Sequence, residues 1–172
     1  MKPIKTESIF KTPWCELVAK TMNAGEPPYY SLRLPDYTSI IAITPEERVL
    51  AVRQYRPALE RYTIELPSGI IDPGETPESA ARRELLEETG FAVGEIEPLG
   101  AMTPDNGRLD NQIWHFLARD VRRVDGASLE DGVEVITYSL PELAEAIVRG
   151  EFDHALHIGG LMLAVVRHKL RL

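Results

Sequence analysis

The sequence predicts an α/β fold: an α/β/α sandwich on a mixed sheet, preceded by a small N-terminal β-sheet element. Three observations carry this. The first third holds short runs of strand type broken by turn-formers. One helix with clear start and stop signals sits mid-chain. Two helical stretches close the chain after further strands. Elements mixed in this order are buried as a sheet covered by helices, and 172 residues suffice for one catalytic domain plus a small extra element.

In chain order, Glu7 to Phe10, Cys15 to Thr21 and Tyr29 to Leu34 read as strands. Thr12-Pro13, Asn23-Ala24-Gly25 and Pro27-Pro28 separate them. Leu34-Pro35-Asp36 then marks a boundary between residues 1–36 and a main domain over 37–172. Ser39 to Ile43 and Val49 to Tyr55 follow as strands joined by the turn Thr44-Pro45-Glu46-Glu47. The first helix has Thr76 as cap, Pro77 at its first position, Glu78 complementing the dipole and Gly90 closing it. Gln112 to Ala118 and Val133 to Tyr138 read as strands. Helices are expected over Pro141 to Val148, stopped by Gly150, and over Ala155 to Leu170.

Charge narrows the partners. With 27 acidic against 19 basic residues the chain carries −8, a balance that argues against nucleic acid or an anionic membrane as partner, because phosphate backbones need clustered Lys and Arg. A small phosphorylated substrate stays open, since a few arginines and a divalent cation cancel its charge locally. Cys15 is the lone cysteine, so no intrachain disulfide is expected. Met1 to Phe10 lacks the apolar core of a signal peptide and no run is long enough to span a bilayer, which makes the expectation cytoplasmic.

The helix after Gly69 carries the chemistry. Glu84, Glu87 and Glu88 stand at i, i+3 and i+4 and share one face. Like charges so placed cost about 0.2–0.5 kcal/mol per pair, and Ala80 and Ala81 make the stripe partly apolar. A solvated charged face is one reading. The other is a hard dication, Mg²⁺ above all, which takes oxygen ligands and bridges carboxylates to substrate phosphates. Gly69 and Gly74, which let backbone approach a ligand closely, favour the second. Arg83, four residues before Glu87, could hold that carboxylate in place, and Glu75 could reach the same region if its loop folds back.

Gly69, then Glu75, then Arg83-Glu84-Leu85-Leu86-Glu87-Glu88-Thr89-Gly90-Phe91 match every fixed position of the Nudix box at its spacing. The chain therefore resembles the Nudix hydrolases, and from about Tyr37 onward its order of elements is that expected of their fold. The resemblance implies metal ligation by Glu84 and Glu88, then Glu87, with the Ser68 carbonyl as a further oxygen and Arg83 orienting them. The cofactor it implies is Mg²⁺, with Mn²⁺ possible. Val52-Arg53-Gln54-Tyr55-Arg56-Pro57 and Glu65-Leu66-Pro67-Ser68-Gly69-Ile70-Ile71-Asp72 look like the branch that cleaves ADP-ribose and other nucleoside diphosphate sugars. In that branch residues 1–36 would form a dimerisation element, giving a homodimer.

Arg56 is the first candidate for a substrate phosphate, because a guanidinium fork matches phosphate oxygens; the alternative is a strand arginine paired with a glutamate. Glu65 could join a metal or water network or cap a strand end. The loop Ala101-Met102-Thr103-Pro104-Asp105-Asn106-Gly107-Arg108 departs from the branch after Pro104, and Arg108 could read a second phosphate or a sugar. In-line attack by water also needs a base. The resemblance places it in Leu129-Glu130-Asp131-Gly132-Val133-Glu134, with Glu130 ahead of Asp131 and Glu134 third. Trp14, Tyr29 and Tyr30 could stack on a nucleobase or belong to the core. His115 reads as a strand histidine with a local partner, and His154 and His157 as flanking the last helix without metal-ligand companions.

The leading expectation is a metal-dependent pyrophosphohydrolase that cuts ADP-ribose or a related nucleoside diphosphate sugar to nucleoside monophosphate and sugar phosphate. Alternatives are a Nudix enzyme acting on a dinucleotide or nucleoside triphosphate, and a Nudix-fold sensor without turnover. Sensors of this kind often lose box glutamates, and this chain keeps them all.

Overall fold

The computed structural model describes residues 1–171. Strands β1 (Lys5–Lys11), β2 (Glu16–Thr21) and β3 (Tyr29–Arg33) form an antiparallel sheet of their own in the order β1-β2-β3. Two further sheets build the main body. Strand β4 (Tyr37–Ala42) pairs in parallel with β10 (Ile113–Ala118) and antiparallel with β7 (Ser68–Ile70), while β9 (Ile96–Met102) extends the other side of β10. The second sheet runs β12 (Glu134–Tyr138), β5 (Val49–Arg56), β6 (Arg61–Glu65), all antiparallel. A short pair, β8 (Phe91–Ala92) and β11 (Arg122–Arg123), completes the strands.

Alternation along the strands produces the layers, because successive side chains leave opposite faces of a sheet. On β4 and β5, Ile40, Ala42 and Leu50 face helix α1 (Pro77–Thr89), packing with Ala81, Leu85 and Phe116. Their neighbours Ile41, Ile43 and Val49 face the other way. There they meet Leu143 and Ala146 of α2 (Leu140–Val148) and Leu161 and Ala164 of α3 (Ala155–Val166). Helices thus cover both faces of the sheets, as the sequence predicts.

Helix α1 begins as expected. Thr76 accepts from the Ser79 N–H and Ser79 returns the bond in a capping box, Pro77 opens the first turn, and Gly90 closes it at φ 72°. Helix α3 stops short of the expected Leu170. The chain turns back at His168, φ 57°, and Leu170 is buried beyond the helix, its N–H on Ala164 O. Apolar spacing alone could not separate those cases.

The N-terminal sheet is tied to the body through the loop before β10. The Leu32 N–H donates to Arg108 O at 2.7 Å, and the Asp110 N–H to Leu32 O at 3.2 Å. Among the described residues no helix is long and apolar enough to cross a membrane.

Candidate active site

Helix α1 buries carboxylates where a helix of its kind would bury leucines. Its inner face is Ala80, Ala81, Glu84, Leu85 and Glu88; Glu84 is 9% exposed and Glu88 3%. Glu87, three positions on from Glu84, lies at the outer edge of the same stripe with a half-exposed side chain. The sequence placed the three on one face. The structure separates two buried carboxylates from an exposed one.

Backbone from β7 meets that face. The Ser68 N–H donates to Glu88 Oε2 at 2.8 Å. At Gly69 the Glu84 carboxylate lies so close that a Cβ there would overlap it, which is why this position takes glycine. Burial pushes the Glu88 carboxyl up to about 8; the Ser68 bond opposes that and the charges of Glu84 and Glu130 add to it. Burial likewise raises Glu84, against the pull of Arg83. An oxygen-only donor set in which Glu84 shares one guanidinium with Glu75 and Glu87, and Glu88 has no ion pair among the described residues, fits a hard dication.

Arg83 binds the cluster together. Its Nη1 donates to Glu84 Oε1 at 2.7 Å and Glu87 Oε2 at 3.1 Å, its Nε and Nη2 grip Glu75 at 2.9 Å each, and Nη2 also reaches Ile70 O at 3.0 Å. The Glu75 loop does fold back, and the Arg83 fork holds its carboxyl down near about 2. The helix, the loop before it and strand β7 are therefore clamped by one guanidinium.

A cavity of about 300 Å³ opens over the same backbone, with Ser68, Gly69 and Ile70 in its lining. Arg56 and Glu65 enter from β5 and β6. The two form a bidentate pair, Nε to Oε1 and Nη2 to Oε2, both 2.7 Å, and the Thr63 hydroxyl donates to Oε1. Burial opposes ionisation of Glu65, 2% exposed, but the bonds from Arg56 and Thr63 outweigh it and hold the carboxyl below its usual range. Arg56 is thus both a strand arginine paired with a glutamate and a cavity residue; its remaining N–H groups are free to meet an anion.

Trp14 also lines the cavity and is 69% exposed, so it is no part of the core. Tyr29 and Tyr30 sit elsewhere, in a second depression with Leu17 and Arg108, where the Arg108 guanidinium lies 4.8 Å from the Tyr29 ring. Arg108 is therefore not brought to the carboxylate cluster within this chain. Glu130 is: its backbone N–H bonds Glu87 O at 2.9 Å, it shares a depression with Glu87, and its charge acts on Glu84, Glu88 and Arg56. Glu134, on β12, pairs with Arg53 at 3.0 Å instead, and Asp131 stands exposed beyond Glu130.

Of the histidines, His115 behaves as expected and His154 and His157 do not. His115 finds a local partner, Ser39 Oγ at 2.7 Å. His154 and His157 do have a carboxylate companion, since Glu65 joins them in a cluster whose ligand-type atoms lie within 4.8 Å of one another. Chain separation between β6 and α3 hid this; the i, i+3 spacing of the two histidines was the only trace in sequence. The cluster is not disposed for a metal. Both Glu65 oxygens serve Arg56, and His157 Nδ1 accepts the Leu66 N–H at 3.1 Å, leaving its proton on Nε2. Tyr37 and Asn111, also cavity residues, went unread because neither belongs to a motif.

Comparison with known proteins agrees with this geometry. The NUDIX domain family model matches residues 34–156. The chain is 32% identical over 152 residues to a methanol dehydrogenase activator of Bacillus methanolicus, covering 85% of this chain and 82% of that one. It is 31% identical over 118 residues to an ADP-ribose pyrophosphatase of Bacillus subtilis, covering 65% of this chain and 64% of that protein. A solved structure of an ADP compounds hydrolase superposes with a TM-score of 0.77 over 99% of this chain and 98% of that one; at 21% identity it speaks for the fold. With the box, the fold and most of the chain's length all matched, the chain belongs to the Nudix family.

Proposed function

We propose that the chain hydrolyses the diphosphate of a nucleoside diphosphate sugar, ADP-ribose first among them, to nucleoside monophosphate and sugar phosphate. One observation carries this: the backbone that floors the cavity, Ser68 and Gly69, is the same backbone that touches the buried carboxylates Glu88 and Glu84. A substrate in the cavity would rest on the same backbone that the two buried carboxylates touch from the other side. ADP-ribose is favoured by the ADP-ribose and ADP-sugar pyrophosphatases among the relatives, and by a cavity offering an exposed aromatic ring and an arginine together.

Glu84 and Glu88 would hold the dication, Mg²⁺ or Mn²⁺, with Glu87 and the Ser68 carbonyl as further oxygens. When bound, the metal supplies charge stabilisation to the phosphoryl oxygens. Arg56 grips a phosphate oxygen with the N–H groups that Glu65 leaves free, and Glu65 fixes its orientation. Trp14 offers a face to the base. Arg83 keeps Glu84 and Glu87 in register with Glu75 and Ile70. Water attacks one phosphorus, the bond to the bridging oxygen breaks, and that oxygen leaves with the other phosphate. Glu130 takes the water's proton; its tether to Glu87 O supports it over Asp131, and the Arg53 pair engages Glu134 elsewhere.

The enzyme would work as a homodimer in the cytoplasm. Strand β1 is exposed along its whole length, with Ile9 and Phe10 uncovered, an edge that a second copy would pair with. The direct test is turnover of ADP-ribose, ADP-glucose and GDP-mannose with Mg²⁺, with Mn²⁺ and with chelator. Dication-dependent release of a nucleoside monophosphate is expected; binding without turnover would make the chain a sensor.

A further inference from the structure

One wall of the cavity is built on a charge pair that cancels itself. Arg56 and Glu65 are joined by two bonds of 2.7 Å, so together they offer an entering anion no net charge. His154 stands in the same wall, half-buried. It is the N-cap of α3, with Nδ1 accepting the His157 N–H at 3.4 Å, and its ring is stacked on that of His157 with centroids 3.8 Å apart. One face and the Nδ1 edge are thereby covered, and what the cavity meets is the outer face and the Nε2 edge. Burial holds the ring below the usual histidine range, against the charge of Glu65, so it is neutral near pH 7. A neutral imidazole whose Nδ1 accepts carries its proton on Nε2. That N–H has no acceptor among the described residues. Glu65 comes within 4.8 Å of the ring, but Arg56 and Thr63 engage its Oε1 and Arg56 its Oε2. Nε2 of His157 is shut away from solvent; Nε2 of His154 is not.

On the reading of this chain as a nucleotide-sugar hydrolase, we propose that His154 is a second substrate-binding residue beside Arg56, its Nε2–H donating to an oxygen of the diphosphate. A phosphate drawn to the open side of Arg56 also meets the charge of Glu65, which the guanidinium only balances. A further donor on the same wall, with no lone pair on its Nε2 edge, tips that balance toward the anion. The bond it makes to an ionised oxygen is stronger than one to a sugar hydroxyl or a base. The ring is also held in place before the substrate arrives, by the cap bond at one edge and the stack on His157 at one face. The two nitrogens thus have separate tasks, Nδ1 for the helix and Nε2 for the ligand.

Two substitutions separate those tasks. His154→Asn keeps an acceptor for the His157 N–H and is a favoured N-cap, but removes the ring donor. His154→Gln carries an amide N–H out to about the reach of Nε2 and caps poorly. We expect His154→Asn to melt with the wild type while KM for ADP-ribose rises about 10–100-fold and kcat changes little, because substrate and transition state share the contact. His154→Gln should melt lower and recover most of the KM. Calorimetry with Mg²⁺ and two uncleavable ligands, α,β-methylene ADP-ribose and α,β-methylene ADP, gives the same comparison without chemistry. Both carry the diphosphate, so His154→Asn should weaken both by the same factor. An unchanged KM in His154→Asn, a KM that follows melting temperature across the two variants, or weakening confined to the ligand with the terminal ribose overturns the proposal. Turnover of ADP-ribose with KM unmoved by His154→Asn keeps the hydrolase reading and sinks this one. Binding without turnover sinks the hydrolase reading, and the calorimetric ratios then judge His154 alone. Failure of the wild type to bind either ligand overturns both.

Discussion

Glu88→Gln separates what the buried carboxylate costs the fold from what it gives to catalysis. Burial holds the Glu88 carboxyl at about 8 in the folded chain against 4.5 for an ordinary glutamate. The folded state thus keeps a proton that the unfolded state releases between those values, and stability falls as pH rises through that window. At about 1.4 kcal/mol per tenfold change in proton affinity the loss is at most about 5 kcal/mol, complete above pH 8. Gln keeps the shape and an oxygen for the Ser68 N–H but cannot ionise. Denaturant unfolding with chelator should show the variant and wild type nearly matched at pH 4.5, and the variant ahead by a few kcal/mol at pH 8.5. Mg²⁺ should then stabilise the wild type and not the variant, while the variant's turnover falls about 10²–10⁴-fold, as losing several kcal/mol of metal charge stabilisation requires. A variant that gains nothing at pH 8.5, or that keeps its turnover, would refute the reasoning.

Other perturbations address the neighbours of Glu88. Gly69→Ala puts a methyl into the space of the Glu84 carboxylate; melting should change little while turnover drops about a hundredfold and more metal is needed to saturate. Arg56→Gln strands Glu65 in the interior and should cost on the order of 2 kcal/mol, the open side of Arg56 screening the pair. Adding Glu65→Gln should restore stability in denaturant unfolding without restoring KM. Glu130→Gln touches an exposed side chain, so melting should hold while kcat falls about 10²–10⁴-fold; unchanged kcat would move the base to Asp131.

The parts of this protein legible in sequence are those governed by local rules. Thr76, Pro77 and Gly90 delimit α1 because capping is decided within a few residues. The i, i+4 spacing put Glu84 and Glu88 on one face for the same reason. Strands β6, β7 and β9 were not read: β7 is three residues, Ser68–Ile70, with a glycine at its centre, and only pairing with β4 makes it a strand. What sequence could not supply is proximity across the chain. Glu65 meets Arg56 nine positions earlier and lies near His154 and His157 far later, and Asn111 meets Pro35 across 76 positions. Arg108, in the loop before β10, lies 4.8 Å from the Tyr29 ring, a neighbour that no local pattern in the sequence indicates. The cavity is assembled from such distant pieces, so the glutamate face of α1 beneath Ser68 and Gly69 was readable in sequence and the rest of the lining was not.

The most direct measurement is product analysis of ADP-ribose hydrolysis in water carrying heavy oxygen, with Mg²⁺ and with chelator. The account predicts adenosine monophosphate and ribose phosphate, with one heavy oxygen on one of the two phosphates and no product in chelator. Intact ADP-ribose, or release of ADP and free ribose, would contradict it.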